Sequence, residues 1–265
     1  MTIEKGVPIR AITRGLSVIQ AINRGGSITM MEIARTSQVP YPTACRIVQT
    51  LLHEGMIERE PARKRYRATA LVQSLSSGYH DESRLVAVAR PHIDALCDKL
   101  LWPISITSRV GTHMMVRDST HTRTSLTLNN YHPGFTLPIM ECSSGKAYMA
   151  FCGDEERGHL LEGLRTIEGA AERMAMLLLS NDSLLRDVRR SGYATQSRNA
   201  YTANPGKTSS ISVPLFRGEA VAGAIVVIFF AVAMPMEKAV EQFLIPLKET
   251  AEAISAELGA IAEIA

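Results

Sequence analysis

The stretch from Thr29 to Thr50, TMMEIARTSQVPYPTACRIVQT, constrains this chain more than any other. It reads as a helix, a tight turn and a second helix. Thr29 and Glu32 have the spacing of a capping box, in which the threonine hydroxyl takes one orphan amide and the glutamate returns to the cap. Pro40 and Pro42 stand at the start of the second helix, where a missing amide hydrogen does least harm. At about 100° per residue, Ala44, Ile47, Val48, Leu51 and Leu52 fall on one side of that helix, with Cys45 at the edge. Thr43, Arg46, Gln49, Thr50 and His53 fall on the other, and the first carboxylate comes only at Glu54. A face with one cation and several donors and acceptors suits the major groove, where Arg reads guanine, Gln reads adenine and Thr meets a thymine methyl or a phosphate. A plain solvated helix face is the competing reading.

The flanking residues shift that balance. Arg10 to Asn23 carries Ile12, Leu16, Ile19 and Ile22 at helical spacing, and Gly25-Gly26 stops the helix. After Gly55, two short extended runs, Met56 to Glu60 and Tyr66 to Thr69, flank a basic turn and predict a β-hairpin. Three helices followed by such a hairpin make the winged form of helix-turn-helix. Its tip would lay Arg63, Lys64 and Arg65 against phosphates, displacing counterions. Charge agrees: residues 1–67 hold 11 Lys/Arg against 5 Asp/Glu, a net +6 in a chain whose total is +3. A basic module on a mildly acidic remainder points to a polyanion partner for the first module only.

TRGLSVIQAI and MEIARTSQVPYPTACRIVQTLLHEGMIERE resemble the N-terminal module of the IclR family of bacterial transcription regulators. Within that family, WPISITSRVGTHMMVRDSTHTRTSLTL and Ala150-Phe151-Cys152 resemble the activators of phenylpropionate and hydroxyphenylpropionate catabolism. One departure is Tyr41-Pro42, at a helix start where the family often has a basic residue and a serine. Tyr41, Thr43, Arg46, Gln49 and Thr50, with the wing cations, are the DNA-contact candidates.

The division expected is a winged helix-turn-helix over 8–69, a linker helix over 70–83 and an effector-binding and oligomerisation domain over 84–265. Leu71, Leu75 and Tyr79 would share one face of the linker helix. A further helix over 84–101 repeats Leu85, Val88, Ile93, Leu96 and Leu100. From Trp102 the period changes to two, with Ile104, Ile106 and Ser108 alternating with Ser105, Thr107 and Arg109. Gly111-Thr112 turns the chain into a strand over 113–117, and extended stretches follow at 125–128, 210–216 and 221–230. Helices are predicted over 143–151, 154–164, 171–191 and 236–264. One antiparallel sheet flanked by helices makes this an α+β domain, and the resemblance implies its GAF-like, effector-binding version.

Ser143 and Lys146 fit Ser-x-x-Lys, the nucleophile and base of penicillin-recognising acyl enzymes, and Lys207-Thr208-Ser209 echoes Lys-Thr-Gly. The Ser-Asp-Asn element is missing and the domain is small for that fold. The other reading takes Ser143-Ser144 as a helix N-terminus whose free amides and dipole favour a carboxylate. The resemblance places an effector pocket in LPIMECSSGKA and implies Leu126, Leu137, Ser143, Ser144, Ala200 and Ser210 as pocket wall. Val226 and Ile228 match positions that are polar in glyoxylate- or pyruvate-binding relatives, so aliphatic side chains argue for a larger, more apolar ligand, which agrees with an aromatic acid. Plain strand core is the alternative for both. Arg109 on the polar strand face, Arg117, Arg123 and Arg198 are the cations available to a carboxylate, unranked among themselves, and Arg109 is counted with the effector-binding candidates.

Cys45, Cys97, Cys142 and Cys152 lack C-x-x-C spacing, and His113, His121 and His132 lack metal-ligand spacing, so neither metal nor disulfide framework is expected. The uncharged run 220–236 contains Gly223 and Pro235 and suits a buried strand better than a membrane span. No signal peptide is read at the N-terminus. The expectation is a cytoplasmic regulator without cofactor or enzymatic activity. It would bind double-stranded operator DNA, an aromatic acid, another copy of itself as dimer or tetramer and, as an activator, RNA polymerase. A repressor responding to a small non-aromatic acid, an acyl enzyme using Ser143, and a winged helix that binds protein are the alternatives.

Overall fold

The computed structural model describes residues 8–61, 63–76, 83–127, 131–165, 183–202 and 204–262. Its contacts divide the chain into two units, Met1–Asp81 and Glu82–Ala265.

In the first unit, α1 (Arg10–Gly25), α2 (Met30–Ser37) and α3 (Tyr41–His53) surround one small core of Val18, Ile22, Ile33, Val39, Ala44, Val48 and Ile57. The capping box is formed: the Glu32 amide donates to Thr29 Oγ1, and the Thr29 amide donates to Glu32 Oε2 at 2.7 Å. The turn follows at Gln38, in the left-handed region with φ 54°, and its amide donates back to Ala34 and Arg35. Pro40 then caps α3. On α1 the buried stripe is Val18, Ile19, Ala21 and Ile22, whereas Ile12 and Leu16 are more than half exposed. The expected stripe therefore holds only near the C-terminal end of α1, because α2, α3 and the small sheet cover no more of it.

The hairpin pairs β2 (Ile57–Arg59) with β3 (Arg65–Ala68), and a third strand, β1 (Ile28–Thr29), pairs with the other edge of β3. Two residues are too few to show alternation, so β1 is invisible in the sequence. Ala70–Ser76 is a 3-10 helix rather than the α-helix expected, with Leu71 and Leu75 exposed. The rest of that linker, including Tyr79, lies outside the described residues.

The second unit is built on a six-stranded antiparallel sheet ordered β6-β5-β4-β9-β8-β7. Its strands are β4 (Ile104–Val110), β5 (His113–Ser119), β6 (Thr136–Pro138), β7 (Ala194–Gln196), β8 (Thr208–Arg217) and β9 (Ala220–Phe230). Strand alternation sorts its residues. Ile104, Ile106, Ile211, Val213, Ile225, Val227 and Phe229 face α4 (Ser83–Leu100) and the long C-terminal helix (Met236–Ala262). That helix contributes Ala239, Phe243, Leu247, Ala251, Ile254 and Leu258, a continuous stripe at helical spacing. Ser105, Thr107, Ser210, Val226 and Ile228 point to the opposite face, where α5 (Ser143–Phe151) packs on β8 and β9.

The uncharged run supplies the mostly buried strand β9 over 220–230, and no helix among the described residues is long and apolar enough to cross a membrane. Residues 125–127 form bends rather than a strand, and 128 lies outside the described residues. β6 and β7, three residues each, were not expected. The helix α6 (Asp154–Arg165) follows α5. Of the helix expected over 171–191 the structure describes 183–191, here α7, and the long C-terminal helix is α8.

Candidate functional site

Two sites carry chemistry, one in each unit. In the first, Ala44 and Val48 anchor α3 in the core while Arg46, Gln49 and Thr50 stand exposed on its outer face. Thr43, Arg46, Gln49, Thr50 and His53 line one open groove together with Ala11 and Arg14 of α1. Arg14 adds a second cation that helical periodicity alone did not single out. The Thr50 hydroxyl donates to the Arg46 carbonyl at 3.1 Å, leaving its oxygen to accept. Tyr41 is 47% exposed at the start of α3, and its phenol interacts with Cys45, which raises the phenol's pKa.

The expected wing tip divides. Arg63 and Lys64 are exposed in the turn. Arg65 is not a tip residue: it opens β3, and its guanidinium donates to the Ser27 carbonyl at 2.7 Å and pairs with Glu32 at 3.5 Å. It braces β1 and the capping box against β3, because strand pairing with Thr29 turns it inward. The same arrangement holds the Glu32 carboxyl below its ordinary value, chiefly through the backbone and hydroxyl hydrogen bonds of Thr29, with Arg65 adding attraction.

In the second unit a small enclosed pocket lies between the sheet and the start of α5. Ser105, Thr107, Val116, Tyr131, Leu137, Cys142, Ser143, Ser144, Asn199, Thr208, Ser209, Ser210, Val226 and Ile228 line it. Six sequence-selected residues meet here: Leu137, Ser143, Ser144, Ser210, Val226 and Ile228. They arrive from β6, α5, β8 and β9. The 3-10 turn Ile139–Glu141 delivers the chain onto α5, and Cys142 caps the helix, its sulfur accepting from the Gly145 amide at 3.4 Å. With the Gly145 amide taken by Cys142, the Ser143 and Ser144 amides have no intrahelical acceptor, and both residues line the pocket. Ser143 and Ser210 hydroxyls pair at 2.8 Å, as do Tyr131 and Thr208.

Three selected residues lie elsewhere. Arg109 extends past the pocket to α6, donating to Glu156 at 3.0 Å and to the Tyr148 hydroxyl at 3.4 Å. A carboxylate on α6, far along the chain, decides that choice. Leu126 packs against the helix-side core. Ala200 is exposed, and its neighbour Asn199 is the lining residue, held by donation from its side chain to the Glu141 carbonyl at 3.1 Å. Of the other candidate cations, Arg123 pairs with Asp98 and Asp94, and Arg198 is exposed. Among the described residues, no Lys, Arg or His lines the pocket. A carboxylate there would rest on hydroxyls and on the α5 amides.

Ser105, Thr107, Tyr131 and Asn199 were missed. Alternation already put Ser105 and Thr107 on one strand face, but only the packed sheet shows which face holds the pocket. Lys146 does not serve Ser143: its ammonium donates to Gln196 at 2.6 Å and to the Thr195 carbonyl at 3.2 Å. Burial lowers the Lys146 pKa, yet both acceptors lie on β7, away from a serine whose hydroxyl is committed to Ser210. The four cysteines are free.

A winged helix-turn-helix followed by an α+β unit with an enclosed pocket defines a DNA-binding transcription regulator. The chain belongs to the IclR family: residues 11–61 match the IclR helix-turn-helix domain, and residues 77–256 match the bacterial transcriptional regulator IclR C-terminal domain. Members of this family are transcriptional regulators. The chain is similar to the DNA-binding transcriptional repressor YiaJ of Escherichia coli (strain K12), with 24% identity over 258 residues, 97% of this chain and 90% of that one. Among solved structures it shares its fold with an IclR homolog complexed with 4-hydroxybenzoate from Microbacterium hydrocarbonoxydans. That likeness has a TM-score of 0.65 and 22% identity over 94% of this chain and 99% of that one. An IclR family transcriptional regulator from Brucella abortus matches with a TM-score of 0.62 and 23% identity, covering 96% of this chain and 94% of that one.

Proposed function

We propose that this regulator controls catabolic genes in the cytoplasm as an activator, and that its second unit binds an aromatic carboxylic acid. The carrying observation is the chemistry of the pocket: Ser143 and Ser144 at the N-terminus of α5 meet Ser210 of β8, whose cross-strand neighbour is Ile228, with Val226 on the same wall. The amides and hydroxyls suit an anion, and the aliphatic side chains beside them suit an apolar ring. That a Microbacterium homolog of this fold carries 4-hydroxybenzoate supports the ligand class.

On DNA, a dimer places α3 of each protomer in successive major grooves of a near-palindromic operator. Arg46, with Gln49, Thr43, Thr50 and Tyr41 beside it, reads bases, while Arg63 and Lys64 bind phosphates. The effector shifts the spacing of the two DNA-binding modules by no more than its differential affinity for the two arrangements. An activator also contacts RNA polymerase.

A mobility shift on the DNA upstream of the gene, at fixed salt and with a panel of aromatic acids, tests this reading. A specific shift that one acid changes is the expected result; a shift indifferent to every acid sinks the aromatic effector. Arg46→Ala is expected to cost about 1–3 kcal/mol on the operator and to relax specificity. The E. coli relative is named a repressor, which favours a second reading with the same contacts and opposite sign. Transcript levels in a deletion strain separate the two: loss of target transcription marks an activator, and constitutive transcription a repressor.

A further inference from the structure

The pocket is too small for the ligand its walls suit. It leaves about 30 Å³ of free space, room for no more than about two water molecules. What fills the apolar end is a side chain of the protein itself. Tyr131 is only 4% exposed, and its ring packs on Val226 and Ile228. Phe135 closes on it edge to face, with ring centres 5.7 Å apart, and the phenol pairs with Thr208 at 2.8 Å.

We infer that Tyr131 occupies the seat of the effector's ring, and that binding an aromatic acid means displacing this phenol. The inference rests on the aromatic-acid reading above and deepens it. Thr208 and Ser210 lie two residues apart on one strand face, about 6.6 Å by strand rise. Thr208 holds the phenol of Tyr131, and Ser210 holds Ser143 at the carboxylate end. That span matches a single ring carrying a hydroxyl para to a carboxyl. A para-hydroxylated acid therefore takes over the hydrogen bond that Tyr131 gives up, whereas the unsubstituted acid leaves Thr208 without a partner. Tyr131 thus acts as a specificity residue by competition: the pocket opens only to a ligand that replaces both its ring contacts and its hydroxyl.

The test is calorimetry of the full-length protein with 4-hydroxybenzoate and with benzoate, on the wild type, Tyr131→Phe, Tyr131→Ala and Thr208→Val. Tyr131→Phe keeps the ring and its packing, so it guards against a folding defect in the alanine variant. Tyr131→Phe is expected to bind 4-hydroxybenzoate about ten-fold more tightly, the worth of one hydrogen bond lost from the closed state. Thr208→Val is expected to lose the preference for 4-hydroxybenzoate over benzoate. In 3-fluorotyrosine-labelled protein, the resonance that disappears in Tyr131→Phe is expected to move to the position of an exposed tyrosine as ligand saturates. Weaker binding in both Tyr131 variants would make the residue a wall of the site and overturn the inference. So would a Tyr131 resonance unmoved at saturation, or no binding of either acid by any variant. The operator shift is scored separately: if it responds to another acid while these two do not bind, the regulator stands and the Tyr131 proposal falls.

Discussion

At the scale of single residues, two buried positions show opposite demands inside the second unit. Ser212 lies on the pocket side of β8, fully buried, and among the described residues its hydroxyl has no hydrogen-bond partner. An unpaired buried hydroxyl costs free energy that a methyl would not. Ser212→Ala is therefore expected to be neutral or to stabilise by up to about 1 kcal/mol in chemical denaturation. Gly145 is the opposite case. A Cβ at this position would come within 1.7 Å of the Ile139 carbonyl oxygen. The 3-10 turn can sit on α5 only over a residue without a side chain. Gly145→Ala is expected to destabilise by about 1–3 kcal/mol, since backbone rather than a side chain must move. A wild-type melting temperature would show that the turn relaxes freely.

At the scale of elements, local hydrogen bonds set the pH range of each unit. The Thr29–Glu32 box begins α2, and replacing Thr29 by Ala is expected to cost about 1 kcal/mol of local stability, read as faster amide exchange in α2. Its carboxylate titrates below its ordinary value of 4.5 in the folded state. The unfolded chain then takes up the proton first, so this contribution is complete above pH 4.5 and is lost as pH falls below it. Glu32→Gln should remove that acid-dependent loss from the α2 amides. In the second unit, burial and the hydrogen bond to Glu156 push the Tyr148 phenol up to about 12 from 10.0. The phenol clamps α5 to α6, donating to Glu156 at 2.6 Å, and stays protonated where an unfolded chain ionises. Stability from this contact is complete below pH 10.0 and falls as pH rises toward about 12. Alkaline unfolding followed by circular dichroism should lose that component in Tyr148→Phe.

At the scale of the whole molecule, the question is how many phosphates the regulator neutralises. Each lost phosphate contact lowers the slope of log affinity against log salt by about 1. Lys64→Ala is expected to lower that slope and to weaken operator and random DNA alike. Arg65→Ala should leave the slope unchanged, because its guanidinium is held by Ser27 and Glu32 rather than offered to DNA. Equal slopes for the wild type and Lys64→Ala, read by fluorescence anisotropy across a salt series, would remove Lys64 from the interface.

What depends on near neighbours is legible in the chain alone. The two faces of α3, the capping box at Thr29, the proline start of α3 and the alternation of β4 follow from rules spanning a few residues, and the structure holds them all. The family resemblance added six pocket residues on four elements. What depends on distant partners appears only once the chain is folded. Arg109 and Arg65 look like free cations until Glu156 and Glu32 are found beside them. β1, β6 and β7 are too short to carry a period and exist because a neighbouring strand pairs with them. Ile12 and Leu16 keep helical spacing yet remain exposed, since no other element among the described residues reaches them. The occupancy of the pocket by Tyr131 belongs to the same class. Its ring meets Val226, Ile228 and Thr208 across a long loop of chain, and no local pattern records a contact made only when the sheet closes.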